Sequence, residues 1–302
     1  MRYVKYLINS STSRIRQRIS ARLGSASYWS SYMVANDKWT DTKSSMELFL
    51  WRNAQYPGYI ELMPVSGADG LVIVDYGCGP GNDLVGFSEF SKPAKLIGID
   101  VSPTALASSK KRLALHGKSV DLILISENEN LIPLESESVD LVHTSGVLHH
   151  ATNLEAAIEE IRRILKPGGR LRVMIYNYDS LWLHLYTAYV HQIEMGLYRE
   201  LPLLDAFRRT TDGADCPISH CYRPTDFLKY VRGMGFSGVF TGASISLNEL
   251  EQLPKRYAAM RDRSLPREHR DFLYALQFNN AGHPTIRGVV AGINACFEFT
   301  KS

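Results

Sequence analysis

Between residues 71 and 176 the spacing of apolar positions switches repeatedly between two periods. Short apolar runs at 71–76, 95–100, 120–125, 139–144 and 171–176 read as buried strands. The stretches between them, at 82–90, 102–116 and 153–165, read as helices. The last puts Leu154, Ala157, Ile158, Ile161 and Leu165 on one face and stops at Lys166-Pro167-Gly168-Gly169. In the second, Ser102 stands as N-cap with Pro103 at the first helical position. Strand and helix in alternation build a parallel sheet with helices on both faces. With further strands expected at 237–241 and 286–299, the fold class is α/β, a doubly wound, mostly parallel seven-stranded sheet.

After Tyr178 the pattern changes. Residues 179–208 read as helical and aromatic-rich, 209–223 as polar and turn-rich, 225–234 as a helix, and 247–276 as charged helix. The expected organisation is a helical extension over residues 1–60, itself part of a lid in which Tyr28, Trp29 and Tyr32 fold over the site, and a main domain over 61–302. Helical insertions at about 179–223 and 246–284 interrupt that domain and are expected to form a lid over the strand C-termini. The same aromatics would serve a homodimer interface.

The 302 residues are 45% hydrophobic and 22% charged, ordinary for a globular protein. No apolar run is long enough to span a bilayer, and the N-terminal residues lack an apolar h-region with a small-residue cleavage site, so no secretion is expected. Four cysteines in such a chain point to reduced thiols and a cytoplasmic setting, and no metal is expected, because Cys216 and Cys221 lack a second Cys/His pair at zinc spacing. The net charge of +3 is uneven: residues 1–36 hold six basic residues and no acid, which leaves 28 basic against 31 acidic residues in the remainder. That body is no nucleic-acid surface. In the basic head, Arg14, Arg18 and Arg22 share one helical stripe and Ile8, Ile15 and Ile19 another. A docked helix with a solvated basic face, weak contact with a membrane surface or other anionic partner, and a transit peptide all fit.

The segment Val74-Asp75-Tyr76-Gly77-Cys78-Gly79-Pro80-Gly81 follows a strand and opens a helix. Glycines let a backbone turn sharply and approach a ligand, and the helix N-terminus offers unpaired N–H groups. A dinucleotide fingerprint needs glycine at 82, where Asn82 stands, so the spacing is G-x-G-x-G and argues against a dehydrogenase. Asp100 ends the next strand, where a carboxylate can accept from both hydroxyls of a ribose.

Val74–Gly81 resembles motif I of class I S-adenosylmethionine (SAM)-dependent methyltransferases, whose fold is Rossmann-like. Ile97-Gly98-Ile99-Asp100-Val101-Ser102 resembles their acidic second motif. Val139-Asp140-Leu141-Val142, leading to Gly146-Val147-Leu148-His149-His150, resembles their fourth strand and following turn, and Leu165–Leu171 their helix-to-strand corner. The nearest likeness is to the small-molecule branch, quinone-biosynthesis-like and natural-product enzymes. The resemblance covers 71–178 and implies SAM as cofactor and S-adenosylhomocysteine as product. It implies cofactor contacts from Asp75, Gly77, Cys78, Gly79, Gly81, Asp100, Val101 and Ser145. Asn128 stands where the family usually has an acid for the adenine amine, and Glu127 or Glu129 could substitute.

A general base is needed only if the acceptor carries a proton. His149 and His150, after the fourth strand, are the candidates, one of them expected to face the cleft. Tyr28, Arg52, Tyr178, His220 and Arg223 are candidate acceptor contacts. The expected reaction is methyl transfer to an oxygen or nitrogen of a small-molecule acceptor. The rivals are a protein or glycan acceptor and a non-catalytic SAM-binding partner protein.

Overall fold

The computed structural model describes residues 25–32, 39–126 and 131–302. The six basic residues of the head and the adenine candidates Glu127, Asn128 and Glu129 lie outside these residues. Seven strands form one sheet: β1 (Val72–Tyr76), β2 (Lys95–Asp100), β3 (Asp121–Leu124), β4 (Val139–Ser145), β5 (Leu165–Tyr176), β6 (Phe236–Ser244) and β10 (Asn294–Lys301). The order is β3-β2-β1-β4-β5-β10-β6, parallel from β3 to β5, with β10 antiparallel to both β5 and β6. The expected mostly parallel, doubly wound sheet is what the chain forms.

Successive strand residues point to opposite faces. Val74, Ile97 and Val142 therefore join one core with α6 (Leu154–Ile164) and α8 (Pro224–Gly233). Ile73, Leu96 and Leu141 join another with α4 (Asn82–Phe90) and α5 (Pro103–Leu115). In α6, Ile158, Ile161 and Ile164 are fully buried, each stabilising by about 1.5–3 kcal/mol. The expected last strand, 286–299, begins only at Asn294. Arg287 and Gly288 both take positive φ (51° and 80°) and close a two-residue hairpin between β8 (Pro284–Ile286) and β9 (Val289–Val290). These pair with β7 (Gln277–Phe278) in a small separate sheet.

Among the described residues, three helices precede the sheet: α1 (Ser25–Ser31), α2 (Thr42–Ala54) and α3 (Tyr59–Leu62). A capping box at Asp41 and Ser44 starts α2. The buried Arg112 of α5 holds α2 in place, donating to the Ser45 hydroxyl and carbonyl at 2.8 Å each. The insertions comprise a π-helix (Trp182–Glu194), α7 (Leu203–Thr211), α9 (Leu247–Gln252), α10 (Arg256–Arg261) and α11 (Arg267–Ala275). They share a core that includes Leu185, Val190, Ile245, Ala259, Leu265 and Leu273. Among the described residues, no helix is long and apolar enough to cross a membrane.

Candidate active site

A cavity of about 600 Å³ opens at the C-terminal ends of β1, β2, β4 and β5. Its floor is the glycine loop. The N–H groups of Gly77 and Cys78 both donate to the Ile99 carbonyl (2.8 and 3.0 Å), which ties the loop to β2. The glycines divide the work. A Cβ on Gly77 would lie 2.3 Å from a Val147 methyl, so this residue is glycine for packing. Gly79, at φ +52°, has nothing within 4 Å of where its Cβ would stand, and its backbone is bare toward the cavity. Gly81, the third glycine, caps α4 and stands off the wall.

Two carboxylates face this end. Asp100 accepts from Gly79 N–H on one oxygen and Ser102 N–H on the other, both at 2.8 Å. Each oxygen keeps a lone pair for a ribose hydroxyl. Burial raises its pKa against the pull of those N–H groups. Asp75 is 2% exposed, and burial together with the neighbouring Asp83 and Asp100 raises its pKa well above the ordinary carboxylate value. A cationic ligand would reverse that shift, because an opposite charge favours the ionised form. Cys78, Val101 and Ser145 also line the wall, Ser145 sharing a hydrogen bond with the Tyr59 hydroxyl. The residues therefore fit SAM: a bare backbone, a ribose acceptor and a buried anion for its cationic methionine end.

Arg52 lines the same end, but as the partner of Asp83 in the first turn of α4. Burial alone would raise the Asp83 pKa; the Arg52 guanidinium and a bond from His143 (3.4 Å) outweigh it and hold it below the ordinary carboxylate value. Arg52 is thus already paired, as a structural ion pair that supports the loop, and still lines the cavity.

At the other end stand His150, Tyr176, Asp212, Met174 and Asn294. His150 faces the cavity and His149 does not. His149 is 0% exposed, stacks on Tyr176 at 3.8 Å and has, among the described residues, no hydrogen-bond partner on either ring nitrogen. Burial holds its pKa well below the ordinary histidine value. His150 Nδ1 lies 2.7 Å from the Ile218 carbonyl, which can only accept, so Nδ1 carries the hydrogen and Nε2 the lone pair. The Trp29 ring covers it at 4.7 Å.

Asp212, at the end of α7, was one of several polar residues in its stretch of sequence. Folded, it is a hub, 4% exposed: Tyr176 donates to one oxygen (2.8 Å), Thr211 and Ser219 to the other (2.8 and 2.9 Å). Tyr28 donates to its carbonyl and does not itself line the cavity; its neighbours Trp29 and Tyr32 do. Tyr178, His220 and Arg223 also stand off the wall. Arg223 lies over the Tyr178 ring at 3.9 Å and pairs with Asp179 at 3.1 Å, an exposed cluster that satisfies itself. His220 gives its backbone N–H to the His149 carbonyl and turns its side chain to solvent.

Of the lid expected from the sequence, the helices before the sheet form the roof and the insertions do not. Trp29, Tyr32, Trp51, Gln55, Tyr56 and Tyr59 supply it from the helices before the sheet. Of the insertions, only Asp212 reaches the wall, because the second insertion packs behind the first and buries its apolar face there. Within 40–60, a segment without a family signature, only Arg52 was a site candidate from the sequence.

Residues 74–173 match the family model described as a methyltransferase domain. The chain carries a SAM-dependent methyltransferase domain. This domain is 37% identical over 110 residues to an uncharacterised protein of a Streptomyces fradiae transposon, covering 36% of this chain and 31% of that one. It is 34% identical over 113 residues to the demethylmenaquinone methyltransferase of Lactococcus lactis, covering 37% of this chain and 44% of that one. The chain thus spans less than half the length of these relatives. A Haemonchus contortus phosphoethanolamine N-methyltransferase, solved with phosphomonomethylethanolamine and S-adenosylhomocysteine, shares the fold. Its TM-score is 0.51 at 14% identity, over 93% of this chain and 60% of that one.

If Asp100 holds the ribose, Asp100→Ala is expected to weaken SAM binding by about 1.5–3 kcal/mol, the scale of hydrogen bonds to a charged group. Calorimetry on the folded variant checks this, and an unchanged dissociation constant refutes the role.

Proposed function

We propose that this protein transfers a methyl group from SAM to a small-molecule acceptor lying between the glycine loop and the wall formed by His150, Tyr176 and Asp212. One observation carries the reading: a single cavity joins the cofactor loop to His150. When bound, SAM supplies a methyl group already activated on a sulfonium. Asp75 would neutralise the cationic methionine end, Asp100 would fix the ribose, and the Gly79 backbone would leave room between them. His150 presents the lone pair of Nε2 to the acceptor end, held there by the Ile218 carbonyl. Trp29, Tyr32 and Tyr56 would exclude water and give an apolar acceptor a surface to lie on.

The aromatic roof favours a small acceptor over a protein or glycan chain, which would need an open groove. The quinone-type relative supports the same choice.

The test has two arms. Calorimetry should find SAM and S-adenosylhomocysteine binding in the micromolar range and no binding of NAD. Labelled SAM offered to a panel of phenols, quinols, thiols and amines should give a methylated small product. NAD binding without SAM binding would sink the cofactor half; labelling of proteins or glycans alone would sink the acceptor half.

A further inference from the structure

The polar wall around Asp212 holds a gap that its own hydrogen bonds do not close. His150 Nε2 and the nearer Asp212 oxygen lie 3.7 Å apart. That is beyond hydrogen-bond length, and the ring hydrogen is already on Nδ1, given to the Ile218 carbonyl at 2.7 Å. Two lone pairs thus face each other in a buried place. The thiol of Cys216, itself buried, completes a triad in which imidazole nitrogen, carboxylate oxygen and sulfur all lie within 4.8 Å of one another.

We infer that His150, Asp212 and Cys216 form a binding site for a divalent cation of the zinc class, with one coordination position turned to the acceptor end of the cavity. Nitrogen, oxygen and sulfur donors suit this borderline-soft ion, and its bonds of about 2.0–2.3 Å in a tetrahedron put nitrogen and oxygen about 3.3–3.4 Å apart and sulfur about 3.6 Å from either. The His150–Asp212 gap of 3.7 Å is a few tenths of an ångström wider than the first of these, and the sulfur must close by about an ångström. The surroundings are those that hold metal ligands in orientation. The second imidazole nitrogen donates to a backbone carbonyl, and the hydroxyls of Thr211, Ser219 and Tyr176 fix both carboxylate oxygens. A turn closed by the Cys216 N–H on the Gly213 carbonyl (3.3 Å) brings Asp212 and Cys216 together. Arg208 donates to the Cys216 carbonyl and anchors that turn to α7. Without a cation the thiol stays protonated and gives its hydrogen to the Ile218 carbonyl (3.3 Å); burial pushes its pKa up to about 12. A divalent ion would displace that proton.

His150 and Asp212 line the cavity and Cys216 stands behind them, so three protein ligands would leave the fourth position facing the acceptor. An acceptor O–H or S–H bound there would release its proton to water and keep a lone pair for the methyl group. An amine bound there would spend its lone pair on the ion. The site therefore favours hydroxyl and thiol acceptors. This rests on the reading that the acceptor lies against this wall.

The test uses the full chain, stripped of metal by chelator and titrated with zinc against a chromophoric competitor. Cobalt(II) then serves as a spectroscopic probe. One zinc per chain is expected, and cobalt should show thiolate charge-transfer and tetrahedral bands. Loss of an outer-shell group costs 10–100-fold in metal affinity, so Cys216→Ala and His150→Ala should each lower zinc affinity by more than about 100-fold. Cys221→Ala should leave it unchanged. Asp212→Asn, which keeps the side-chain shape, should lower it as well, and circular dichroism verifies that each variant is folded. No stoichiometric zinc in the wild type, or binding that survives Cys216→Ala, overturns the cation site. Metal-free protein that methylates at the full rate, and loses it on His150→Ala, also overturns it while leaving the acceptor wall intact. Stoichiometric zinc with those variant effects supports the site, even where no acceptor has been found.

Discussion

Replacing His150 by alanine is expected to lower turnover by about 10²–10⁴-fold, the range contributed by a positioned group that handles a proton, whether Nε2 takes the acceptor's proton itself or holds the cation that lets it leave to water, and to leave SAM affinity unchanged. The separation follows from the cavity. The cofactor loop, Asp75 and Asp100 stand at one end, and His150 stands with Tyr176 and Asp212 at the other. His149→Phe is the matched control. That ring is 0% exposed, stacks on Tyr176 at 3.8 Å and, among the described residues, bonds to nothing through its nitrogens, so phenylalanine preserves what it does. Single-turnover kinetics with the acceptor found by screening, beside calorimetry with SAM, measures both quantities. Normal turnover in His150→Ala with loss in His149→Phe would reverse the assignment.

The cofactor end was readable in the sequence because its parts are local. A strand, a glycine turn and an acid at the end of the next strand lie within about thirty residues, and the positive φ at 77 adds to its packing against Val147 in favouring glycine there. The choice between His149 and His150 was not readable. Adjacent residues in a short 3₁₀ turn diverge according to what packs on each, and the deciding contacts come from Ile218 and Trp29. Asp212 was hidden for the same reason. Its neighbours Thr211, Asp215 and Ser219 are equally polar, and only the arrival of Tyr176 from β5 singles it out. Arg52, Tyr178 and Arg223 were sensible candidates as isolated charges and rings. Each proved to have a partner in the protein, Asp83 for the first and one another for the other two. The aromatic roof carried no periodic signal, because α2 and α3 turn their apolar residues partly to the core and partly to the cavity.

Glu249→Ala is expected to destabilise the protein by roughly 3–5 kcal/mol, since each buried donor left without a partner costs about 1–3 kcal/mol. Glu249 is completely buried. One of its oxygens accepts from the Trp182 N–H (2.9 Å), which starts the π-helix. The other accepts from Ser246 N–H and hydroxyl (2.8 Å each) and from the Ile293 N–H (3.2 Å) just before β10. One side chain thus fastens both insertions to the strand that brings Asn294 to the cavity. Burial raises the Glu249 pKa from 4.5 to about 7 against the pull of these donors. The folded state therefore holds a proton that the unfolded chain releases between pH 4.5 and 7. Stability must fall as pH rises through that window, by up to roughly 3 kcal/mol, and the loss is complete above it. Glu249→Gln cannot titrate, and its amide turns a donor toward one of the donors it must satisfy. It should cost about 1–2 kcal/mol and remove this part of the pH dependence. Urea unfolding of wild type and Glu249→Gln across pH 4.5–8 measures it. Parallel stability-versus-pH curves would show that Glu249 is ionised throughout and that its four donors outweigh its burial.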